Sequence, residues 1–104
     1  MADRIDYLIE IIFDETARED EIHDAIMDLG NFDDDKALNA LLKVASSNRN
    51  EFLLDACGES IIEIWIRKNQ FDFLVYSRFP AAVRNAIQMY IKNKKQEWAR
   101  FLES

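Results

Sequence analysis

The sequence predicts an all-α fold of about six helices in three antiparallel pairs, assembled as a short α-solenoid or a compact helical bundle. Three observations lead there. Only two glycines and one proline occur among 104 residues, too few for the frequent tight turns of a sandwich or barrel. Apolar residues recur at three- and four-residue spacings along most of the chain, the period of an amphipathic helix. Three of the helices so defined superimpose at a repeat near 30 residues, within the range of helical repeat arrays. The length suits one domain, spanning residues 1–104. A composition that is 49% hydrophobic and 12% aromatic can fill its core.

The first helix runs from about Asp3 to Asp14, with Ile5, Leu8, Ile9, Ile12 and Phe13 on one face. Thr16-Ala-Arg-Glu19 reads as a capping box that opens the second helix. Ile22, Ala25, Ile26 and Leu29 form its apolar stripe, and Gly30 stands where a C-terminal glycine cap belongs. The loop Asn31 to Asp35 carries three aspartates, which favour the N-terminus of a third helix bearing Leu38, Leu41, Leu42 and Ala45. Asn48-Arg-Asn-Glu51 resembles a second capping box. The fourth helix then extends to about Arg67, with Leu53, Ala56, Cys57, Ile61 and Ile64 inside. A short fifth helix covers about Phe71 to Ser77. Pro80 suits the first position of a sixth, which runs to the C-terminus through Val83, Ala86, Ile87, Tyr90 and Ile91. Its end, with Trp98, Phe101 and Leu102, either packs or projects.

The even helices share a register. Ile22, Ala25, Ile26 and Leu29 map onto Leu53, Ala56, Cys57 and Ser60, and these onto Val83, Ala86, Ile87 and Tyr90. Alanine recurs at one site, at Ala25, Ala56 and Ala86, where helices can approach closely. In this register Asp20, Asp24 and Asp28 form one stripe, and Glu51, Asp55, Glu59 and Glu63 form another. Both lie opposite the core faces. Like charges four residues apart destabilise a helix by about 0.2–0.5 kcal/mol per pair, and no Lys or Arg interrupts either stripe. The sixth helix has Ala81, Asn85 and Met89 at the equivalent positions, so an acidic binding surface is expected on the first two pairs only. Ile62 and Ile66 fall among the acids and Trp65 at the edge of the core face, a combination that suits apolar anchors ringed by charge. Two plainer readings stand beside this one: the stripes serve solubility, or they meet the basic C-terminal part of another copy.

Charge is unevenly distributed along the chain. Up to Glu63 there are 17 acidic against 5 basic side chains, a net of −12; from Ile64 there are 3 against 8, a net of +5. An acidic front half is repelled by nucleic acid and suits a cationic partner. No apolar run approaches the ~20 residues that span a bilayer, and the acidic N-terminus lacks a signal-peptide pattern. The lone Cys57 cannot form an internal disulfide and reads as a small buried hydrophobe. The expectation is a cytoplasmic protein with no membrane or nucleic-acid partner.

Catalytic and cofactor chemistry finds little support. With one His and one Cys, neither a Cys–His nucleophile pair nor a zinc site is expected, and His23 reads as a surface residue. The glycines are isolated, so no phosphate-cradling loop is present. Asp33-Asp34-Asp35 lacks the glycine and distal glutamate of a calcium loop. Acid clusters that hold two magnesium ions for phosphoryl chemistry are the one enzymatic alternative. The reading is a non-enzyme without metal or cofactor.

Phe32-Asp-Asp-Asp-Lys-Ala-Leu-Asn-Ala-Leu-Leu-Lys-Val-Ala, followed by Leu54-Asp-Ala-Cys-Gly-Glu-Ser-Ile-Ile-Glu-Ile-Trp65, resembles small helical immunity proteins with HEAT-like repeats. These belong to bacterial contact-dependent growth inhibition and related polymorphic toxin systems. The resemblance covers about residues 20 to 78, and departs from the family's usual Arg at Asp55. It implies a HEAT-like solenoid, monomeric or weakly dimeric, that neutralises the C-terminal domain of a cognate toxin. If that domain is a basic nuclease, Asp20, Asp24, Asp28, Glu51, Asp55, Glu59 and Glu63 supply charge contacts, and Ile62, Trp65 and Ile66 are candidate anchors. Asp-Ala-Cys-Gly-Glu-Ser is equally a structural segment, with Cys57 and Ser60 packed and Gly58 allowing close helix contact. The alternative function is a general scaffold or adaptor for a peptide or basic protein segment.

Overall fold

The computed structural model describes residues 3–103, the side chain of Glu103 excepted. Met1, Ala2 and Ser104, and with them the expected start and last residue of the chain, lie outside the described residues. Among the described residues there are six α-helices: α1 (Arg4–Ile12), α2 (Glu19–Leu29), α3 (Asp35–Ala45), α4 (Glu51–Lys68), α5 (Phe73–Arg78) and α6 (Ala81–Lys94). A 3-10 helix, Gln96–Glu103, follows them, and no strand occurs among the described residues.

Short acidic or amide side chains start four of these helices by accepting an otherwise unpaired backbone N–H. Asp3 accepts from Asp6 at 2.9 Å, Asp34 from Lys36 at 2.7 Å, Asn50 from Leu53 at 3.0 Å and Asp72 from Val75 at 3.1 Å. The capping box expected at Thr16 does not form. Thr16 instead donates its N–H and hydroxyl to Asp14, at 2.9 and 2.7 Å, and makes a turn before the helix. At the true start, Glu21 accepts the Arg18 N–H at 3.1 Å. Pro80 precedes α6 rather than opening it. That helix also ends at Lys94, short of the C-terminus, because the tail turns back to bury Trp98.

The helices stack as repeats. Arg4 at the start of α1 reaches Asp28 near the end of α2, at 3.0 Å, so the first pair is antiparallel. Lys68 at the end of α4 reaches Asp35 at the start of α3, at 2.8 Å, and the second pair is too. Equivalent helices of successive pairs run parallel. Along α2 and α4, Glu19 meets Asn50, His23 meets Phe52, Ile26 meets Ser60 and Gly30 meets Arg67. Lys36 bonds Asp6 at 2.8 Å between α1 and α3, and Asp6, Ile9 and Phe13 line one groove with Lys36, Asn39 and Lys43. Glu51 and Asp55 of α4 likewise share a groove with Ala81 and Asn85 of α6. The repeat near 30 residues is therefore a spatial repeat, with α2, α4 and α6 side by side.

Small residues set the spacing of that row. Gly30 is a C-cap, as expected, but its φ of −62° is right-handed, so a left-handed turn is not the reason for glycine. A Cβ there would lie 2.8 Å from the Ser60 hydroxyl oxygen, which itself donates to the Ile26 carbonyl at 2.9 Å. On α4, a Cβ at Gly58 would lie 2.7 Å from the Val83 carbonyl oxygen and 2.9 Å from the Ala86 Cβ. Neither neighbour is a flexible side-chain tip, so α6 must move outward. Gly58→Ala is expected to lower stability by up to about 2 kcal/mol, because overpacking of ~1–3 kcal/mol outweighs the helix-propensity gain of ~1 kcal/mol. Urea unfolding checks this, and a variant as stable as the parent contradicts the tight α4–α6 contact.

The third pair is different. Its odd helix, α5, has only 6 residues, and an aromatic cluster does the packing instead. Phe71 contacts Trp65, Tyr76, Trp98 and Phe101 at centroid separations of 5.2, 5.4, 5.9 and 5.2 Å. Trp65 also stacks on Phe79 at 6.2 Å.

Candidate functional site

The acids of the two stripes divide by whether the fold gives them a cation. On α2, Asp28 pairs with Arg4, Asp20 pairs with Arg18 at 3.3 Å, and Asp24 lies 3.8 Å from the His23 imidazole. The aspartates before α3 are also occupied. Asp33 pairs with Arg67 at 2.7 Å, Asp35 with Lys68 at 2.8 Å, and Asp34 caps the helix. Asp33 and Asp35 thus clasp the end of α4, and no cluster of His, Cys, Asp and Glu suited to a metal occurs among the described residues.

Glu51, Asp55 and Glu59 have no cation within ion-pair distance among the described residues. They stand in line along α4, on the wall of the groove it makes with α6. One end of that groove is lined by Glu51, Phe52, Asp55, Ala81, Ala82 and Asn85. The other is lined by Asp55, Glu59, Ala86, Met89, Tyr90, Asn93 and Lys94. Glu63 continues the stripe but is half-buried. Desolvation first, and then the Glu59 charge, raise its carboxyl above the usual range, while Arg67 and Lys94 oppose the shift. Burial likewise raises the Tyr90 phenol, helped by Glu63 and Glu59. The α4 wall is thus a line of carboxylates without ion pairs among the described residues, with Arg67 and Lys94 acting on it from the Glu63 end.

Two of the expected apolar anchors are core residues. Ile62 is wholly buried and Trp65 is 4% exposed, held in the aromatic cluster. Ile66 is half-buried and packed on the core. An 18-residue helix covered by α2, α3 and α6 is buried around most of its circumference, so apolar residues beside the acids turn inward. The apolar groups that do reach the surface here are Phe52, 52% exposed, and Met89, 59% exposed. Sequence reasoning missed both as anchors. Phe52 lies one position off the buried stripe that starts at Leu53, and Met89 occupies an acid position of the repeat. Those offsets were the available signals.

His23, expected at the surface, is half-buried, its side chain 28% exposed. Its ring stacks on Phe52, 4.3 Å between centroids and 13° from parallel, and this stack joins the α2 stripe to the α4 stripe. Cys57 is buried on the inner side of α4, where its thiol donates to the Leu41 carbonyl at 3.0 Å. Desolvation pushes that thiol from 9.0 up to about 12. The folded pKa lies above the unfolded one, so this contribution to stability is complete below about pH 9 and is lost as pH rises towards 12. A thiol reagent at pH 8 is expected to leave Cys57 unmodified until the chain is unfolded; rapid labelling of the folded protein contradicts this burial.

No helix among the described residues is long and apolar enough to cross a membrane. The chain matches no family model, no curated protein and no solved structure.

Proposed function

We propose that this chain is a non-catalytic binding protein whose acidic α2–α4 face engages a cationic protein. On the resemblance carried by residues 20 to 78, that partner is a toxin domain which the chain neutralises in the cytoplasm, without a cofactor. The observation that carries the reading is the row formed by Glu51, Asp55 and Glu59, which has no ion pair among the described residues, while Asp20 and Asp28 of α2 and Asp33 and Asp35 before α3 are each paired with Arg or Lys. Leaving like charges uncompensated at four-residue spacing costs stability, and a partner that brings lysines or arginines recovers it.

A nuclease toxin holds its substrate's phosphates in a basic cleft. Carboxylates set at regular intervals on a rigid helix offer that cleft a substitute, steer the encounter and obstruct substrate entry. The toxin-inhibitor reading is tested by co-purifying the tagged chain with the product of the gene immediately upstream. A stable complex that weakens between about 0.1 M and 1 M salt is expected, as the Debye length falls from about 10 Å to about 3 Å. No complex, or one indifferent to salt, overturns it. A scaffold or adaptor would use the same face, and is favoured if the captured partner is a basic protein with no toxic activity.

A further inference from the structure

Resting on the acidic-face reading, we propose that the groove between α4 and α6 seats a single basic amphipathic helix of the partner protein. The α4 wall presents Glu51, Asp55 and Glu59 four residues apart, which places successive carboxylates about 6 Å apart along the helix. Lysine or arginine at every fourth position of a guest helix repeats that step. The opposite wall belongs to α6 and is uncharged over the same length, with Asn85 between the N-terminal alanines and Met89. Its floor is kept low by Ala82 and Ala86, because Gly58 draws the two helices together beneath it.

Phe52 and Met89 are the exposed apolar groups, one near each end of the acidic row. A guest with a cationic stripe beside an apolar one would meet both walls at once, the arrangement of helix-in-groove recognition. Lys94 closes the far end and confines a polycation to the stretch from Glu51 to Glu59. The charge decides against an acidic or neutral helix, and the apolar contacts distinguish the site from a purely electrostatic surface.

The test uses a 15-residue helical peptide with lysine at every fourth position and leucines along the adjacent face, and a second peptide with alanine for leucine. Binding is read by fluorescence anisotropy, methyl NMR of Met89 and Ala82, and circular dichroism of the peptide. The leucine peptide is expected to shift both methyl signals as a helix, and the alanine peptide to bind at least about tenfold more weakly. Asn85→Trp, which fills the groove and leaves every carboxylate in place, is expected to weaken the leucine peptide by at least about tenfold with an unchanged melting temperature. Equal binding of the two peptides, indifference to Asn85→Trp, an extended bound peptide, or self-association of the chain that closes the groove overturns the proposal. If binding survives Asn85→Trp but is lost on Asp55→Lys with Glu59→Lys, the groove is wrong and the acidic face stands. If both variants still bind, both readings fall.

Discussion

Replacing Asp55 and Glu59 together by lysine is expected to weaken binding of the proposed cationic partner at least a hundredfold while leaving the fold intact. Both side chains lie on the groove wall, and neither has a protein cation to lose. A juxtaposed like charge at an interface costs several kcal/mol, and about 2.8 kcal/mol already amounts to a hundredfold. Stability should hold or rise slightly. The new lysine at position 55 sits four residues after Glu51, and the one at position 59 sits four residues before Glu63. Two repulsive pairs therefore become attractive, each changing the helix by about 0.2–0.5 kcal/mol per interaction. Calorimetric titration against the partner and a thermal melt of each protein check both halves. Unchanged affinity would move the interface off α4, whereas a collapsed melting temperature would make the binding result uninformative about charge.

Trp65→Ala is expected to have the larger effect on the fold and none that is specific to binding. Its indole is enclosed by Phe71 and Phe79, and truncating a buried aromatic residue costs about 3–5 kcal/mol. At ~4–8 °C per kcal/mol for a domain near this size, the midpoint falls by about 12–40 °C. That is a large part of the ~5–15 kcal/mol that holds a typical domain together. Met89→Ala, at an exposed position, is expected to change stability by no more than about 0.5 kcal/mol, and Phe52→Ala, which loses the His23 stack, by about 0.5–1.5 kcal/mol. A Trp65→Ala protein that melts with the parent would place the indole at the surface after all. The comparison separates groups that cover the core from groups that meet a partner, a distinction that loss of binding alone cannot make.

Helix formation was legible because its causes are local. The spacing of Ile5, Leu8 and Ile12 or of Leu53, Ala56 and Cys57 names an inward face, and all six are buried. The repeat register was legible for the same reason, since alanine and glycine occur where neighbouring helices touch. The cap of α2 was not legible. Thr16, the expected cap, is drawn into a turn with Asp14, and the helix opens instead at Arg18, whose N–H is accepted by Glu21. The length of α6 was not legible either, because Trp98 and Phe101 could recognise their site only once Phe71 had been brought there from a distant part of the chain.

The candidate site shows the same division. The sequence by itself determined an all-helical chain with a 30-residue register and two acid stripes opposite the core faces, since these depend on periodicity and charge order alone. Tertiary structure decided which acids are compensated, because Arg4, Arg67 and Lys68 reach Asp28, Asp33 and Asp35 across helix pairs. It also decided that Ile62 and Trp65 point inward while Phe52 and Met89 face water. The physical reason is that a helical period fixes only angles about one axis. Whether a given angle meets solvent, a cation or another helix depends on what the rest of the chain packs against it.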